Sequence, residues 1–319
     1  MKPSTIFTCF ISVLVASVTM FFVQMHILTG DMPKRRVEKA NISSRARIVR
    51  QVCNKFNYGK QYDVDTFKNI IVNDKYRIMF CYVPKVACTN FLRLFLWLNE
   101  SNENDMSFFL QLNPASVHVL KKNISSLRAY SSSEIRYRLK YYTKALFVRN
   151  PLVRLISAFR NKFVTTTNPY FVSRYGKKIV QRSKSNKTPA IGSITFLEFL
   201  RYLTDERTIK EGYQEHWMLF NDLCHPCFID YNFIGTYETF DQDVNTLLEL
   251  LNIQDKFIFP GRDKRYKHAR SEELLSSTLS DVDQDTFNSL INIYAYDFSL
   301  FNYTIPSLSD IKLKSRDIH

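Results

Sequence analysis

Short apolar runs alternate with stretches of helical periodicity through the middle of the chain. Each run is rich in apolar and aromatic residues and is bounded by Pro, Asn or charged residues, as buried strands are. The stretch that follows each run carries apolar residues at helical spacing. The pattern predicts three strand-then-helix units, with strands at 76–83, 144–148 and 232–237 and helices at 90–98, 152–163 and 239–251.

Repeated strand-then-helix units favour an α/β fold with a central parallel sheet flanked by helices. Pro151 suits the first turn of the second helix. Thr239 and Gln242 have the spacing of a capping box at the start of the third helix. Helical spacing near the C-terminus predicts one more core-facing helix, whose buried face is formed by Phe287, Leu290, Ile291 and Tyr294.

The N-terminus has a different pattern. Residues 4–30 contain no Asp, Glu, Lys or Arg. This stretch is long enough to span a bilayer as a helix, which requires about 20 apolar residues. Ala16-Ser17 in the middle of the run is a poor cleavage site, so the sequence predicts an uncleaved anchor. The predicted organisation is a cytoplasmic tail at 1–4, a transmembrane signal anchor at 5–29, a lumenal stem at 30–68 and a globular lumenal body at 69–319.

Two features bear on the orientation of the anchor, and they disagree. Four basic residues at 34–39 follow the anchor and only Lys2 precedes it, a distribution that places the body in the cytosol. Five glycosylation sequons favour the secretory lumen, because they are acceptors only there. Together with the very short tail, the sequons predict a body in the lumen. Their asparagines are Asn41, Asn99, Asn123, Asn186 and Asn302.

The charge balance indicates the kind of partner. Forty-four Lys and Arg against 30 Asp and Glu give a formal charge of +14, which favours nucleic acid, an anionic membrane or an acidic polysaccharide. The anchor and the sequons argue against nucleic acid. A basic stretch at 165–189 is predicted to be a solvated loop or a basic helix that could contact a polyanion. Only 7 Gly are present, and no Walker or Rossmann glycine motif occurs.

Cysteine spacing leaves two readings of one short motif. Cys224-His225-Pro226-Cys227 resembles a redox motif or half of a zinc site, but no second Cys or His pair stands at ligand spacing. A structural disulfide or buried thiols are therefore expected, and no metal site is predicted. Outside the anchor the number of cysteines is odd, so at least one of them cannot be paired within the chain.

Two segments place basic and hydroxyl side chains where a strand gives way to a helix, namely residues 81–90 and 146–157. Helix starts favour anions because their backbone N–H groups lack partners and the helix dipole is positive there. Two such segments suit one ligand with phosphates at both ends. The sequence thus indicates a nucleotide site without a glycine-rich loop.

Residues 84–90 resemble the 5′-phosphosulfate-binding loop of Golgi carbohydrate sulfotransferases, and residues 149–160 resemble their 3′-phosphate-binding segment. Similar motifs continue in order through 215–217, 223–227 and 235–239 to Asp297-Phe298. The set is most similar to the HNK-1/chondroitin 4-O-sulfotransferase family (sulfotransferase family 2), over about residues 76–306. The resemblance implies a P-loop-like sulfotransferase fold, a Golgi membrane location and transfer of a sulfuryl group from 3′-phosphoadenosine 5′-phosphosulfate (PAPS), without a metal.

The resemblance also assigns residues to the nucleotide. Asn150 departs from the acidic residue that many members carry, but this side chain need not touch phosphate. The implied nucleotide-binding residues are Pro84, Lys85, Val86, Ala87, Cys88, Thr89, Asn90, Arg149, Asn150, Pro151, Arg154 and Ser157.

The residue types suggest roles within that site. Lys85 can meet the charge that develops on the departing 5′-phosphate, and Arg149 and Ser157 can bind the 3′-phosphate. Arg154 either touches the nucleotide or pairs on the helix surface. His118 and His216 are the candidates for the base that takes the proton of the acceptor hydroxyl.

The predicted acceptor is an acidic glycan, with the 4-OH of N-acetylgalactosamine in chondroitin as the first choice. Dermatan, a terminal glucuronic acid and N-glycan N-acetylgalactosamine are the alternatives within the same chemistry. A glycan-binding member of the fold that no longer transfers sulfate is the alternative from another class. Glu238 is expected to be structural, holding a loop or capping a helix.

Overall fold

The computed structural model describes residues 44–56, 63–100, 106–261 and 274–316. The predicted tail and anchor and the sequon at Asn41 lie outside these residues. No helix within the described ranges is both long and apolar enough to span a membrane. The four other sequon asparagines are all exposed.

A four-stranded sheet lies at the centre of the fold in the order β1-β2-β3-β4. The pairs β2–β3 and β3–β4 are parallel, as the strand-then-helix pattern predicts, whereas β1 pairs with β2 in the antiparallel sense. The sequence did not reveal β1, which precedes a four-residue turn at 74–77. The strands are β1 (Ile70–Asn73), β2 (Ile78–Cys81), β3 (Thr143–Val148) and β4 (Phe233–Thr236).

Helices surround the sheet. The helix at 44–56 is α1, and the others are α2 (Cys88–Asn99), α3 (Met106–Gln111), α4 (Pro114–Leu120), α5 (Ser132–Tyr141), α6 (Pro151–Phe159), α7 (Tyr170–Arg182), α8 (Phe196–Thr204), α9 (Glu206–Glu211), α10 (Phe220–Cys224), α11 (Phe240–Leu250), α12 (Leu275–Leu279), α13 (Gln284–Leu300) and α14 (Leu308–Arg316). Short 3-10 helices occupy Val64–Asn69, Lys121–Asn123 and Leu127–Ala129, and a π-helical turn, Arg160–Val164, continues α6.

The buried apolar side chains form two groups. One surrounds the sheet and includes α2 and α11, and the other lies among α6, α7, α8 and α13 around Trp217. The predicted C-terminal core helix is confirmed as α13, with Phe287, Leu290 and Tyr294 buried and Ile291 partly buried. Because α6 contributes to the second group, the polypeptide that follows β3 is fixed against the core.

The basic stretch after α6 is largely helical. Within α7, Val172 and Ile179 are buried, while Arg174 and Lys177 are exposed. Other basic residues of this helix are paired, since Lys178 and Arg182 both form salt bridges with Glu211. The prediction of a basic helix is therefore the one that the structure bears out.

The predicted capping box at Thr239 is wrong. Thr239 is the N-cap residue of α11 but makes no side-chain cap bond. Its hydroxyl donates to Asp243 Oδ2 at 2.6 Å. In a capping box the hydroxyl oxygen accepts from a backbone N–H, but here that oxygen accepts from Arg45 Nη2 at 3.0 Å while the proton is directed at Asp243.

The cysteines form two disulfides, and neither lies within the Cys224-x-x-Cys227 motif. Cys81 pairs with Cys224, and Cys53 pairs with Cys227, while Cys88 is free. The expectation of structural disulfides with one cysteine left over is confirmed. The second disulfide fastens α1 to the body, where Ala46 and Val49 are buried. The folded body thus includes residues that the sequence analysis assigns to the stem.

The link between α1 and the body can be tested by replacing Cys53 and Cys227 together with Ala. A disulfide that closes a long loop limits the unfolded chain, so we expect the free energy of unfolding to fall by about 2–5 kcal/mol. Urea unfolding of the full chain measures this value. Cys88→Ala is the control and should change it by about 1 kcal/mol or less. An unfolding free energy of the double variant equal to that of the wild type would contradict the prediction.

Candidate active site

The loop that follows β2 turns sharply at residues 84–87 before α2 begins. Lys85 and Ala87 both have left-handed backbone conformations, with φ of 72° and 53°. For a residue other than glycine this conformation costs roughly 1–2 kcal/mol, so surrounding contacts must hold the loop. Ala87 is the N-cap of α2 and offers no side-chain cap. The first N–H groups of α2 therefore have no cap partner from this residue and can face an anion.

The second segment starts α6 in a different way. Asn150 is the N-cap, and its Oδ1 accepts hydrogen bonds from the N–H groups of Leu152 and Val153 at 3.0 and 3.3 Å. Pro151 occupies the first turn. The Asn150 N–H donates to Glu238 Oε1 at 3.2 Å, and Tyr303 donates its hydroxyl to Glu238 Oε2 at 2.7 Å. The expected structural role of Glu238 is confirmed, and Asn150 acts as a cap.

Two arginines of the second segment hold the first loop. Arg149 Nη1 donates to the Lys85 carbonyl oxygen at 3.1 Å, and Arg154 Nε donates to the Pro84 carbonyl oxygen at 3.2 Å. These contacts turn two carbonyl oxygens, which would repel an anion, towards guanidinium groups. The two predicted segments thus form one structural unit at the carboxyl ends of neighbouring parallel strands, where α/β sheets bind ligands.

Arg154 is placed as a support. Only 1% of it is exposed. Its remaining nitrogens donate to the carbonyls of Met218 at 2.7 Å and Glu215 at 3.1 Å. The prediction left open whether Arg154 touches the nucleotide or pairs on the helix surface. Burial excludes pairing on the helix surface, and contact with the nucleotide stays a prediction. The guanidinium ties the loop after β2 to the segment at 215–218.

Asp297 completes this support, and the sequence analysis gave it no role. Its carboxylate accepts hydrogen bonds from the Phe220 N–H at 2.8 Å and the Asn221 N–H at 3.4 Å. Burial raises the pKa of Asp297 to about 7, while the two N–H groups and Arg154 act in the opposite direction. The signal was present in the sequence as the Asp297-Phe298 motif, but nothing local to it predicts contact with residue 220.

Arg149 itself lies at the edge of the site and is 5% exposed. Its guanidinium stands over the Tyr237 ring, 4.1 Å from the ring centroid. A guanidinium carries five donors in a planar fork, a geometry that suits phosphate oxygens. Ser157 is the one residue of α6 that is not buried.

Several positive charges surround Lys85. Burial, together with the neighbouring charges of Lys162, Arg149 and Arg160 and against an opposite effect of Cys88, lowers the pKa of Lys85 to about 8. Burial also lowers the pKa of Lys162, whose Nζ lies 4.4 Å from the centroid of the Phe171 ring. The sequence analysis gave Lys162 and Arg160 no role, because the π-helical turn that brings them to the site has no sequence signal.

Both candidate bases lie at this site. The Gln214 Oε1 atom accepts hydrogen bonds from the His216 N–H and from His216 Nδ1, each at 2.8 Å. Because a backbone N–H can only donate, this atom is the amide oxygen, so Nδ1 carries the proton and Nε2 has the free lone pair. Burial, with Lys162 and Lys85 nearby, lowers the pKa of His216 to about 2. The ring is therefore neutral.

His118 lies on the other side of the loop, on α4. Its Nε2 is 3.4 Å from Thr89 Oγ1. Although the residue is exposed overall, loss of ring solvation and the charge of Lys162 lower its pKa. Asn90 is occupied elsewhere, because its amide donates to the Pro260 carbonyl at 2.9 Å and accepts from Arg93.

The described residues contain no group of three or more His, Cys, Asp or Glu side chains that could hold a metal ion. Positive side chains and helix N-termini are the features gathered here. Such a site suits an anionic ligand with more than one phosphate.

Comparison with known proteins decides the family. The sulfotransferase family profile matches residues 68–304. The chain belongs to the sulfotransferase family. This match confirms the family that the sequence motifs indicate. No solved structure matches the chain significantly.

The relatives of this sulfotransferase are carbohydrate sulfotransferases. Carbohydrate sulfotransferase 11 of Mus musculus is 37% identical over 245 residues, 75% of this chain and 68% of that protein. Carbohydrate sulfotransferase 14 of Mus musculus is 40% identical over 244 residues, covering 76% and 62%. Carbohydrate sulfotransferase 9 of Homo sapiens is 31% identical over 290 residues, covering 88% and 64%. The chain thus spans 62–68% of the lengths of these relatives.

Membership of the family implies PAPS as the sulfate donor. The residues present fit that molecule, because it carries negative charge at its 3′ and 5′ ends and this sulfotransferase places basic groups at two adjoining strand ends. Lys85, Lys162 and Arg160 lie near one another at the loop after β2, with Arg149 at the start of the second segment. The fit rests on charge and on donor groups.

The lowered pKa of Lys85 predicts a pH limit for this sulfotransferase. The ammonium form dominates below pH about 8 and is lost above it. If this form meets the donor, kcat/KM for PAPS should fall about tenfold per pH unit above the pKa. Steady-state rates from pH 6 to 10 measure the profile. Arg keeps its charge at high pH, so Lys85→Arg should move the limit upward. An identical alkaline limit in that variant would assign the titration to another group.

Proposed function

We propose that this protein transfers a sulfuryl group from PAPS to a hydroxyl of an acidic glycan, and that its preferred acceptor is the 4-OH of N-acetylgalactosamine in chondroitin. The observation that carries the proposal is the contact of Arg149 with the Lys85 carbonyl. It supports the proposal because it links the two segments that resemble the phosphate-binding segments of the family. Residue types at both segments support the same chemistry.

The donor half of the site has a division of labour. The start of α2 and the Thr89 hydroxyl bind the 5′-phosphate, and Arg149 and Ser157 bind the 3′-phosphate. Lys85 meets the negative charge that grows on the oxygen between phosphorus and sulfur as the sulfur–oxygen bond breaks. A lowered pKa makes its ammonium a better proton donor at this step, while it remains protonated in a slightly acidic lumen.

The acceptor hydroxyl must lose its proton as its oxygen bonds to sulfur. His216 supports this step better than His118, because Gln214 fixes its tautomer and leaves Nε2 as an acceptor. The low pKa of His216 keeps the ring unprotonated throughout the acidic range of the secretory pathway. The charges that lower it come from Lys162 and Lys85, so the imidazole lies beside the groups that hold the donor.

An acidic sugar fits the surface next to His216. Phe171 packs edge-on against the His216 imidazole at 5.3 Å between ring centroids, and the Lys162 ammonium lies over the Phe171 ring. Tyr170, Arg174 and Lys177 continue outward along α7 and are exposed. Aromatic rings can cover the apolar face of a sugar, and the positive charges attract uronic acid carboxylates.

The proposed setting is the Golgi membrane, with the body in the lumen and a single N-terminal anchor. Two disulfides within the described residues suit an oxidising compartment. Exposure of Asn99, Asn123, Asn186 and Asn302 suits glycan attachment. The anchor itself rests on the sequence pattern of residues 5–29.

The His216→Ala variant tests whether His216 acts as the catalytic base or contributes to nucleotide binding. We expect kcat to fall by about 10²–10⁴, because proton transfer to a positioned side chain contributes that much. Binding of adenosine 3′,5′-bisphosphate, measured by calorimetry, should stay close to that of the wild type. His118→Ala is the matched control, with a smaller loss of kcat. A larger loss in His118→Ala than in His216→Ala would transfer the role to His118.

Sulfate incorporation tests the proposed acceptor. The full chain is given radiolabelled PAPS with desulfated chondroitin, dermatan or a glucuronyl oligosaccharide, and the products are mapped by disaccharide analysis. We expect label on the 4-position of N-acetylgalactosamine in chondroitin and none with Lys85→Ala, which removes the ammonium.

Each other outcome of this assay has a meaning. Label on dermatan or on the glucuronyl acceptor alone would replace the proposed acceptor but keep the reaction. Binding of adenosine 3′,5′-bisphosphate without label on any acceptor would favour a glycan-binding member that no longer transfers sulfate. Absence of both binding and label would overturn the proposed function.

A further inference from the structure

An arginine at the beginning of α1 reaches into the body of the protein. Arg45 Nη1 donates to Asp243 Oδ2 at 2.6 Å and to the Ile234 carbonyl at 3.1 Å. Its Nη2 donates to Thr239 Oγ1 at 3.0 Å. Three partners from β4, from the loop after it and from α11 therefore meet at one guanidinium.

Asp243 is the centre of this cluster. Besides Arg45, its Oδ2 accepts hydrogen bonds from the Thr239 hydroxyl at 2.6 Å and from the Thr236 N–H at 2.8 Å. The Asp243 side chain is only 4% exposed, and that of Arg45 is 21% exposed. A carboxylate this deep depends on its positive partner, since a buried charge without one is strongly unfavourable.

The loop at 236–239 contacts the segment that carries the predicted 3′-phosphate contact. The Tyr237 ring lies against the Arg149 guanidinium, and the Tyr237 N–H donates to the Val148 carbonyl at 2.8 Å. Glu238 accepts the Asn150 N–H at the start of α6. Residues 148–150, which carry the predicted 3′-phosphate contact, therefore rest on the loop that Arg45 and Asp243 hold at both ends.

We propose that Arg45 is a positioning residue for the 3′-phosphate, acting through Asp243 and the loop at 236–239 on Arg149. The inference rests on the proposed nucleotide site and adds a role for α1, which the sequence analysis placed in the stem. Arg45 itself contacts residues of the loop and not Arg149. Its effect is to fix Tyr237 and Glu238, which in turn fix the orientation of the Arg149 side chain and the start of α6.

The same helix supplies a matched control. Arg50 also forms a salt bridge across to the body, from its Nε to Asp230 Oδ1 at 2.6 Å. Both side chains are at least half exposed, and within the described ranges neither of them hydrogen-bonds to the loop at 236–239. Arg45→Ala and Arg50→Ala thus each remove one salt bridge of α1, but only the first reaches the nucleotide site. The Cys53–Cys227 disulfide keeps α1 attached in both variants.

The experiment compares two nucleotides that differ only in the 3′-phosphate. Calorimetry on the full chain gives the Kd of adenosine 3′,5′-bisphosphate and, by competition, that of adenosine 5′-monophosphate. We expect Arg45→Ala to raise the first Kd about tenfold, within the usual range of coupling between sites. The second Kd should change less than about twofold, because Arg149 has no 3′-phosphate to bind in that nucleotide. KM for PAPS should rise with unchanged KM for the acceptor.

Three further variants test whether Arg45 acts through its charge and its contact with Thr239. Arg45→Lys retains the charge beside Asp243 and should recover part of the affinity. Thr239→Val removes one contact of Arg45 without shortening the side chain, and it serves if Arg45→Ala does not unfold cooperatively. It should also weaken the bisphosphate more than the monophosphate. Arg50→Ala should leave both affinities unchanged.

Two results would overturn the inference. One is an unchanged Kd for the bisphosphate in both Arg45→Ala and Thr239→Val. The other is equal weakening of both nucleotides, which would show general loosening of the fold and no specific effect on Arg149. A wild-type protein that binds neither nucleotide would overturn the proposed function instead, so the two failures are distinguishable.

Discussion

The site depends on two guanidinium groups that hold two consecutive carbonyl oxygens. Arg154 binds the Pro84 carbonyl and Arg149 binds the Lys85 carbonyl. These carbonyls belong to the loop after β2, in which Lys85 and Ala87 have left-handed conformations that need such contacts to hold them. Since Arg154 also binds the carbonyls of Glu215 and Met218, the same interaction positions the segment that carries His216. The loop after β2 and the candidate base His216 are therefore both held by the buried Arg154 guanidinium.

This arrangement concentrates positive charge, and the concentration has a physical consequence. Lys85 and Lys162 both have lowered pKa values, which means that their charged forms are less favourable here than in water. An anionic ligand removes that penalty, so part of the cost of assembling the site is offset when the nucleotide binds. The groups are already in place, and little reorganisation is needed at the moment of reaction. Preorganised positive charge can thus do what a metal ion does in other phosphate sites.

Local signals explain what the sequence predicted well. A short apolar run that ends at Pro84, and Pro151 at the start of a helix, each identify a strand end without knowledge of the fold. Parallel pairing follows from the repeated order of strand and helix. The two segments of the predicted nucleotide site could be recognised for the same reason, since each is continuous in sequence.

Contacts between distant residues explain what was missed. Arg45 meets Asp243, and Asp297 meets Phe220, across long stretches of chain that carry no common pattern. Thr239 had the spacing of a cap, but its hydroxyl oxygen accepts from Arg45 and its proton is donated to Asp243. The role of Arg154 could not be predicted from the sequence of α6 alone. An arginine at a surface position and a fully buried one cannot be told apart by sequence until the surrounding helices are packed against α6.

The loop after β2 contains no glycine, and this explains why it needs the contacts that hold it. A phosphate-binding loop commonly uses glycine to reach left-handed conformations, because glycine has no Cβ to clash. Here Lys85 and Ala87 adopt them, which places a basic side chain within the turn itself. Such a loop requires external restraint, and it has restraint on both sides. Cys81, three positions before Pro84, is linked to Cys224, and the arginines hold the turn from the other segment. The disulfide fixes where the loop begins, and the guanidinium groups fix how it turns, so a strained lysine can stand where flexible phosphate loops place a glycine.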